Sequence, residues 1–215
     1  IAVEKDLKCV KIINYQKKIF LNKVILIEGD FLKDHILKKI VREFKKYKKK
    51  VVVFSNLPYK TAIPILAKIF RNRNYFQKLI LMFQKEQAER IMAKSNTKSY
   101  GRISVISQWL CDIKKKMHLS PNYFFPKPKI DSSILEFKFK KKIKKVDNED
   151  LLSDLIKKCF SQRRKTIKNN LKKTINLSDQ IFLNCGINSK KRPEELDFID
   201  FINLSNFLSK HKKEL

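Results

Sequence analysis

Four short apolar runs, each followed by a stretch of helical period, leave this 215-residue chain few folds to choose from. Ile1–Val3 reads as the end of a strand, Val24–Ile27 as a second, Val51–Phe54 as a buried third and Leu79–Phe83 as a fourth. Helical spacing follows each of them, over roughly 7–18, 31–47, 61–70 and 84–93. In the second, Leu32, Ile36, Leu37, Ile40, Val41 and Phe44 recur at three- and four-residue steps. Buried strands alternating with amphipathic helices imply a parallel sheet with helices on both faces.

The strand ends carry the chemistry. Three in succession finish on a polar side chain, at Glu4, Asp30 and Asn56. In an open α/β sheet such ends line one edge, where a nucleotide-like cofactor lies. The third end is the most informative, because Val51–Phe54 gives way to Ser55-Asn56-Leu57-Pro58-Tyr59 and then to an apolar helix. Pro58 cannot donate to a ladder, so the strand stops there. An amide, a rigid turn and an aromatic ring suit a flat polar ring, although a plain strand–turn–helix junction uses the same residues. A Rossmann-type unit with an acid at its second strand end places a glycine-rich turn about 20 residues upstream. Glycine occurs only at 29, 101 and 186, so that turn is expected before residue 1.

Composition narrows the partner. The net charge of +29 far exceeds what solubility needs and points to a polyanion. Lysine greatly outnumbers arginine, and Asn, Ile and Phe are frequent, a pattern that AT-rich drift produces, so part of the excess is surface filler. Nucleic acid is favoured over a membrane surface, since no basic amphipathic helix stands out. Cys9, Cys111, Cys159 and Cys185 are scattered, as are His35, His118 and His211, which argues against a zinc site or a disulfide framework. A reduced, cytoplasmic setting with no membrane span and no metal is expected.

The second half is read in pieces. The polar segment 95–102, closing on Tyr100-Gly101-Arg102, is either a solvated loop or an RNA contact. A helix over 104–110 and a strand over 112–119 precede Ser120–Asp131, whose prolines at 121, 126 and 128 forbid regular structure. That loop presents Tyr123, Phe124 and Phe125, for base stacking worth roughly 1–3 kcal/mol per base or as plugs of the core. A final strand covers 132–139, and the charge run 138–145 marks a domain boundary. Beyond it all is helical, over 150–160, 165–173, 178–185 (closed by Gly186) and 198–208. Arg163, Arg164, Lys165, Lys168, Lys172 and Lys173 form a basic stripe there, for phosphate contact or simply as a solvated face.

Taken in order, these stretches resemble the KsgA/RsmA family of small-subunit rRNA adenine dimethyltransferases. The matching residues are Ala2–Asp6, Glu28-Gly29-Asp30, Asn56–Tyr59 with Pro64-Ile65-Leu66, Gln84-Lys85-Glu86, Ala88-Glu89-Arg90, Tyr100-Gly101-Arg102, Phe124–Ser132, Phe160–Thr166 and Arg192–Leu196. The resemblance implies a Rossmann-like class I S-adenosylmethionine-dependent methyltransferase sheet over 1–143, with the first strand and glycine-rich loop missing. A small all-helical rRNA-binding domain over 147–215 would follow. It implies that Glu4, Asp30 and Asn56 bind S-adenosyl-L-methionine and that Asn56, Leu57, Pro58 and Tyr59, with Phe124, form the catalytic element. Arg102, Arg163, Arg164, Lys165 and Lys168 would bind RNA. The implied reaction methylates the N6 amines of two adjacent adenosines near the 3′ end of small-subunit rRNA, by a monomer acting on the immature subunit. A large-subunit methylase of the antibiotic-resistance type and a non-catalytic rRNA-binding or assembly factor are the alternatives.

Overall fold

The computed structural model describes residues 1–19, 24–47, 50–172, 174–175 and 177–211. The expected stripe residue Lys173 lies outside them. Contacts group the chain into two compact units, Ile1–Leu81 and Met82–Leu215.

In the first unit, β1 (Ala2–Glu4) pairs in parallel with β2 (Leu26–Glu28), with Glu4 opposite Glu28. Between them runs α1 (Leu7–Ile19), and after them come α2 (Asp34–Tyr47), β3 (Val51–Asn56), α3 (Ala62–Arg71) and the start of β4 (Phe76–Gln84). The core is apolar: Ile36, Ile40, Leu66, Ile69, Phe70, Phe76 and Leu79 are all buried. The sheet departs from a single continuous layer. β1 and β2 form one sheet, while β3 is hydrogen-bonded to β4 in another. With one neighbouring strand, β3 is not the buried strand its valines suggest. Its residues alternate, and Val52 and Phe54 are 40% and 72% exposed, because none of the described residues of the unit covers that face. α1 is similarly half-dressed, with Val10 buried but Leu7, Ile12 and Tyr15 exposed.

In the second unit, α4 (Lys85–Met92) and α5 (Arg102–Leu110) lead into β5 (Cys111–Leu119), which pairs antiparallel with β6 (Ser132–Phe139). β6 lies between β4 and β5, so β5 is an edge strand. The helices α6 (Glu149–Cys159), α7 (Ile167–Leu171), α8 (Asp179–Asn184) and α9 (Phe198–Lys210) follow. The charged 138–145 run is held on both sides. Trp109 Nε1 donates to Lys144 O at 2.9 Å, and Asn206 Nδ2 to Lys145 O at 3.0 Å. At Gly186 the backbone is left-handed (φ +74°), the Gly186 N–H donates to Leu183 O, and the Ile187 N–H to Phe182 O. That paired closure caps α8 as expected.

Candidate functional site: a strand-end cleft and a basic junction

The first unit holds a cleft of about 810 Å³. Consecutive residues of β1 and β3, from Ile1 to Lys5 and from Lys50 to Asn56, line it, together with Gly29, Asp30 and Phe31. In a strand successive side chains alternate faces, so an unbroken run of lining residues means that the cleft meets both strands along their edges. Its floor is apolar, from Ile40, Phe44, Ile65, Ile69 and Phe76. Glu4, Asp30 and Asn56 are therefore brought together although two separate sheets supply them.

Each acidic residue is fixed by its own turn. Glu4 Oε1 accepts from the N–H groups of Lys5 and Asp6 at 2.7 and 2.8 Å, and Asp30 Oδ1 accepts from Leu32 N at 2.9 Å. One oxygen of each carboxylate thus holds its own turn. The two turns are joined by Gly29, whose N–H donates to Glu4 O at 2.8 Å. Gly29 has φ +144°, and a Cβ there would stand 2.8 Å from Ile36 Cγ1, so the turn demands glycine. The Asn56–Tyr59 turn is set by Leu57, 5% exposed, and by Pro58 O, which accepts from Thr61 N at 2.9 Å. That bond carries the chain directly into α3.

Sequence reasoning missed Lys68. From α3 its ammonium donates to Leu32 O at 2.5 Å and to Asp34 Oδ1 at 2.7 Å, tying the helix after the Asn56 turn to the loop after Asp30. The hydrogen bond from Lys68, and then its charge, hold the Asp34 carboxyl below the usual carboxylate range. A lysine inside the apolar run Ala62–Arg71 was the available signal.

The second unit gathers the basic motifs. Arg163 Nη2 donates to Lys98 O at 2.7 Å and to Tyr100 O at 3.2 Å, while Asn96 N donates to Glu194 O at 2.7 Å. Thus Tyr100-Gly101-Arg102, the arginine segment and Arg192-Pro193-Glu194 converge. Tyr100 is fully buried, edge-on to Phe160 at 6.2 Å, and burial first, then Asp197 and Asp200, push its phenol up. Arg102, Arg164 and Lys165 are exposed; Lys168 is half-buried and ion-paired with Asp179 at 2.7 Å. A second unforeseen residue shapes this segment. Asn170 is 7% exposed, and its amide donates to Gln162 O, Lys165 O and Thr166 O at 3.0, 3.1 and 3.2 Å. Its carbonyl accepts from Ser161 Oγ at 3.1 Å and Gln162 N at 3.0 Å. An asparagine at a helical position, four after the capping Thr166, was its only trace in the sequence. Phe124, also in this unit, is half-buried, whereas Tyr123 and Phe125 are 74% and 101% exposed.

The family model described as "Ribosomal RNA adenine dimethylase" matches residues 1–210. The chain belongs to the ribosomal RNA adenine dimethylase family. Among similar members, the "Ribosomal RNA small subunit methyltransferase A" of Wolbachia pipientis wMel is 37% identical over 206 residues, which are 96% of this chain and 70% of that protein. A dimethyladenosine transferase from Plasmodium falciparum shares the fold with a TM-score of 0.66 at 23% identity, covering 99% of this chain and 90% of that one. The 23S rRNA methyltransferase ErmE does so with 0.60 at 15% identity, over 96% and 80% of the two chains. The dimethylase family is S-adenosylmethionine-dependent, and the cleft fits that cofactor in kind. Glu4 and Asp30 line a hollow together with apolar residues, and carboxylates accept hydrogen bonds from hydroxyl and amine groups.

Proposed function

We propose that this rRNA adenine dimethylase transfers methyl groups from S-adenosylmethionine to the N6 amines of two adjacent adenosines near the 3′ end of small-subunit rRNA. The observation that carries the reading is the meeting of Glu4, Asp30 and Asn56 on one cleft. In this assignment Glu4 takes the cofactor's ribose hydroxyls and Asp30 its adenine amine. When bound, the cofactor supplies a sulfonium methyl as electrophile.

The protein's own task is to aim the acceptor. An adenine amine is a weak nucleophile because its lone pair is delocalised into the ring. The Asn56 side-chain oxygen and the Leu57 carbonyl accept hydrogen bonds from its two N–H groups, which localises the lone pair. Pro58 fixes the turn that holds both acceptors, and Tyr59 offers a face to the flipped base. Phe124 is assigned as a further aromatic contact of that base. Positioning and electrostatics carry the in-line displacement. N6 forms the new C–N bond as the methyl–sulfur bond breaks to a neutral thioether, and the methylated nitrogen then loses a proton to water. A second transfer needs room for the first methyl and uses the one N–H that remains.

Residues 1–143 are assigned to catalysis and 147–215 to rRNA binding. Arg102, Arg163, Arg164, Lys165 and Lys168 are assigned to the phosphate backbone, with Arg163 already donating to two carbonyls of the protein and Lys168 paired with Asp179. The natural substrate is taken as the immature small subunit, met by a monomer in the cytoplasm. Radiolabelled methyl transfer from S-adenosylmethionine to unmethylated small subunits tests the assignment. Wild type should produce N6-methylated adenosine and Asn56→Ala should lose it; equal activity in both would refute the role of the turn.

A further inference from the structure

We propose that the edge strand β5 and the loop after it form a second RNA-contacting strip, which takes an unpaired, extended stretch of RNA. This rests on the rRNA-substrate reading above and extends it to residues outside the arginine segment.

The strip is continuous along the chain. Lys114, Lys115, Lys116, Met117 and His118 are exposed in succession, so both faces of the strand end carry side chains into solvent. Antiparallel pairing to β6 is interrupted between Lys115 and Met117, which sets Lys116 outside the regular ladder. Past Leu119 the loop presents Tyr123, Phe125, Lys127 and Lys129, all exposed. Its base is held. Tyr123 N donates to Ser120 O and Phe124 N to Pro121 O, each at 3.2 Å. At the far end Asp131 Oδ2 lies 3.7 Å from His118 Nε2 and 4.0 Å from Lys85 Nζ, and Asp131 O accepts from Lys85 N at 2.9 Å. The acidic residues between Cys111 and Asp131 are Asp112 and Asp131, and Asp131 is already engaged. Five lysines and two rings, all exposed, therefore follow one another along one edge strand and the loop that continues it.

Lysines on an edge strand also guard against pairing with another chain. That purpose explains Lys114–Lys116 but not Tyr123 and Phe125, since exposed aromatic rings work against solubility. Lysine for phosphate and aromatic face for base is the pairing that binds single strands. A duplex, with its bases already stacked, has no use for the rings.

The test uses the full chain and a fluorescein-labelled 12-nucleotide single-stranded RNA of mixed sequence, alone and annealed to its complement. Anisotropy gives Kd across a KCl series. Lys114→Gln/Lys115→Gln/Lys116→Gln should reduce the slope of log Kd against log salt by about 2, at ~0.7 per lost phosphate contact on a single strand. Replacement of the same three by Arg should restore it. Tyr123→Ser/Phe125→Ser should weaken single-strand binding at least tenfold at every salt concentration, leave the slope unchanged and leave duplex binding alone. If both variants bind the single strand within twofold of wild type and with the same slope, the strip is refuted. The same holds if the lysine variant aggregates while its soluble fraction binds as wild type, which would mean edge protection alone. If the wild-type chain binds neither probe, the rRNA-substrate reading itself fails, and the strip with it.

Discussion

Asn170→Leu removes the five side-chain hydrogen bonds that Asn170 makes at the centre of the arginine segment while keeping the volume. Of the five hydrogen bonds lost, three are partly covered. Thr166 O keeps the helical bond from the Asn170 N–H at 3.0 Å, Gln162 O keeps the Lys165 N–H at 3.1 Å, and the Ser161 hydroxyl can turn to water. The Gln162 N–H and the Lys165 carbonyl lose the partner that Asn170 gave them. At about 1–1.5 kcal/mol for each, the substitution should destabilise the protein by about 2–3 kcal/mol. For a chain of this size that is a fall in Tm of roughly 5–10 °C. Thermal unfolding by circular dichroism reads it, with Asn169→Leu, an exposed neighbour, as a control that should stay within about 0.5 kcal/mol. RNA affinity should also drop, although no cation has been removed, because Arg163, Arg164 and Lys165 ride on the loop that Asn170 holds. A loss of stability below about 0.5 kcal/mol, or unchanged RNA binding, would show that the loop keeps its shape without Asn170.

Three further outcomes are expected. Lys68→Met should weaken S-adenosylmethionine binding in a titration more than it lowers Tm. The bond it breaks also depresses the Asp34 pKa, so its contribution is present above the ordinary carboxylate range and is lost as pH falls through the lowered folded value; a pH-independent difference between variant and wild type would contradict this. Gly29→Ala should destabilise by about 1–3 kcal/mol through the crowding of Ile36 and the unfavourable φ, and lower cofactor affinity with it. Thiol titration should find one fast cysteine, Cys9, which is exposed; Cys111 and Cys159, pushed up to about 12 by burial, and Cys185, also buried, should react only on unfolding.

Much of the fold is legible because its signals are local. Strand and helix periods, the stop at Pro58 and the cap at Gly186 each depend on a few neighbouring residues. The errors have a common cause too. Val51–Phe54 looks buried by composition, yet Val52 and Phe54 are open, since burial depends on which elements lie over a strand. Phe124 and its neighbours look alike in sequence, and only their packing separates the half-buried ring from the exposed ones.

The sequence by itself determined the order of elements, the polar strand ends at Glu4, Asp30 and Asn56, and a charge that calls for a polyanion. Tertiary structure decided which of the many cations already serve the protein. Arg163 binds carbonyls 63 and 65 residues away, and Lys68 a carbonyl 36 residues away. A lysine or arginine looks the same in sequence whether it faces a phosphate or a distant carbonyl. Its role is fixed only when folding brings that acceptor within about 3 Å.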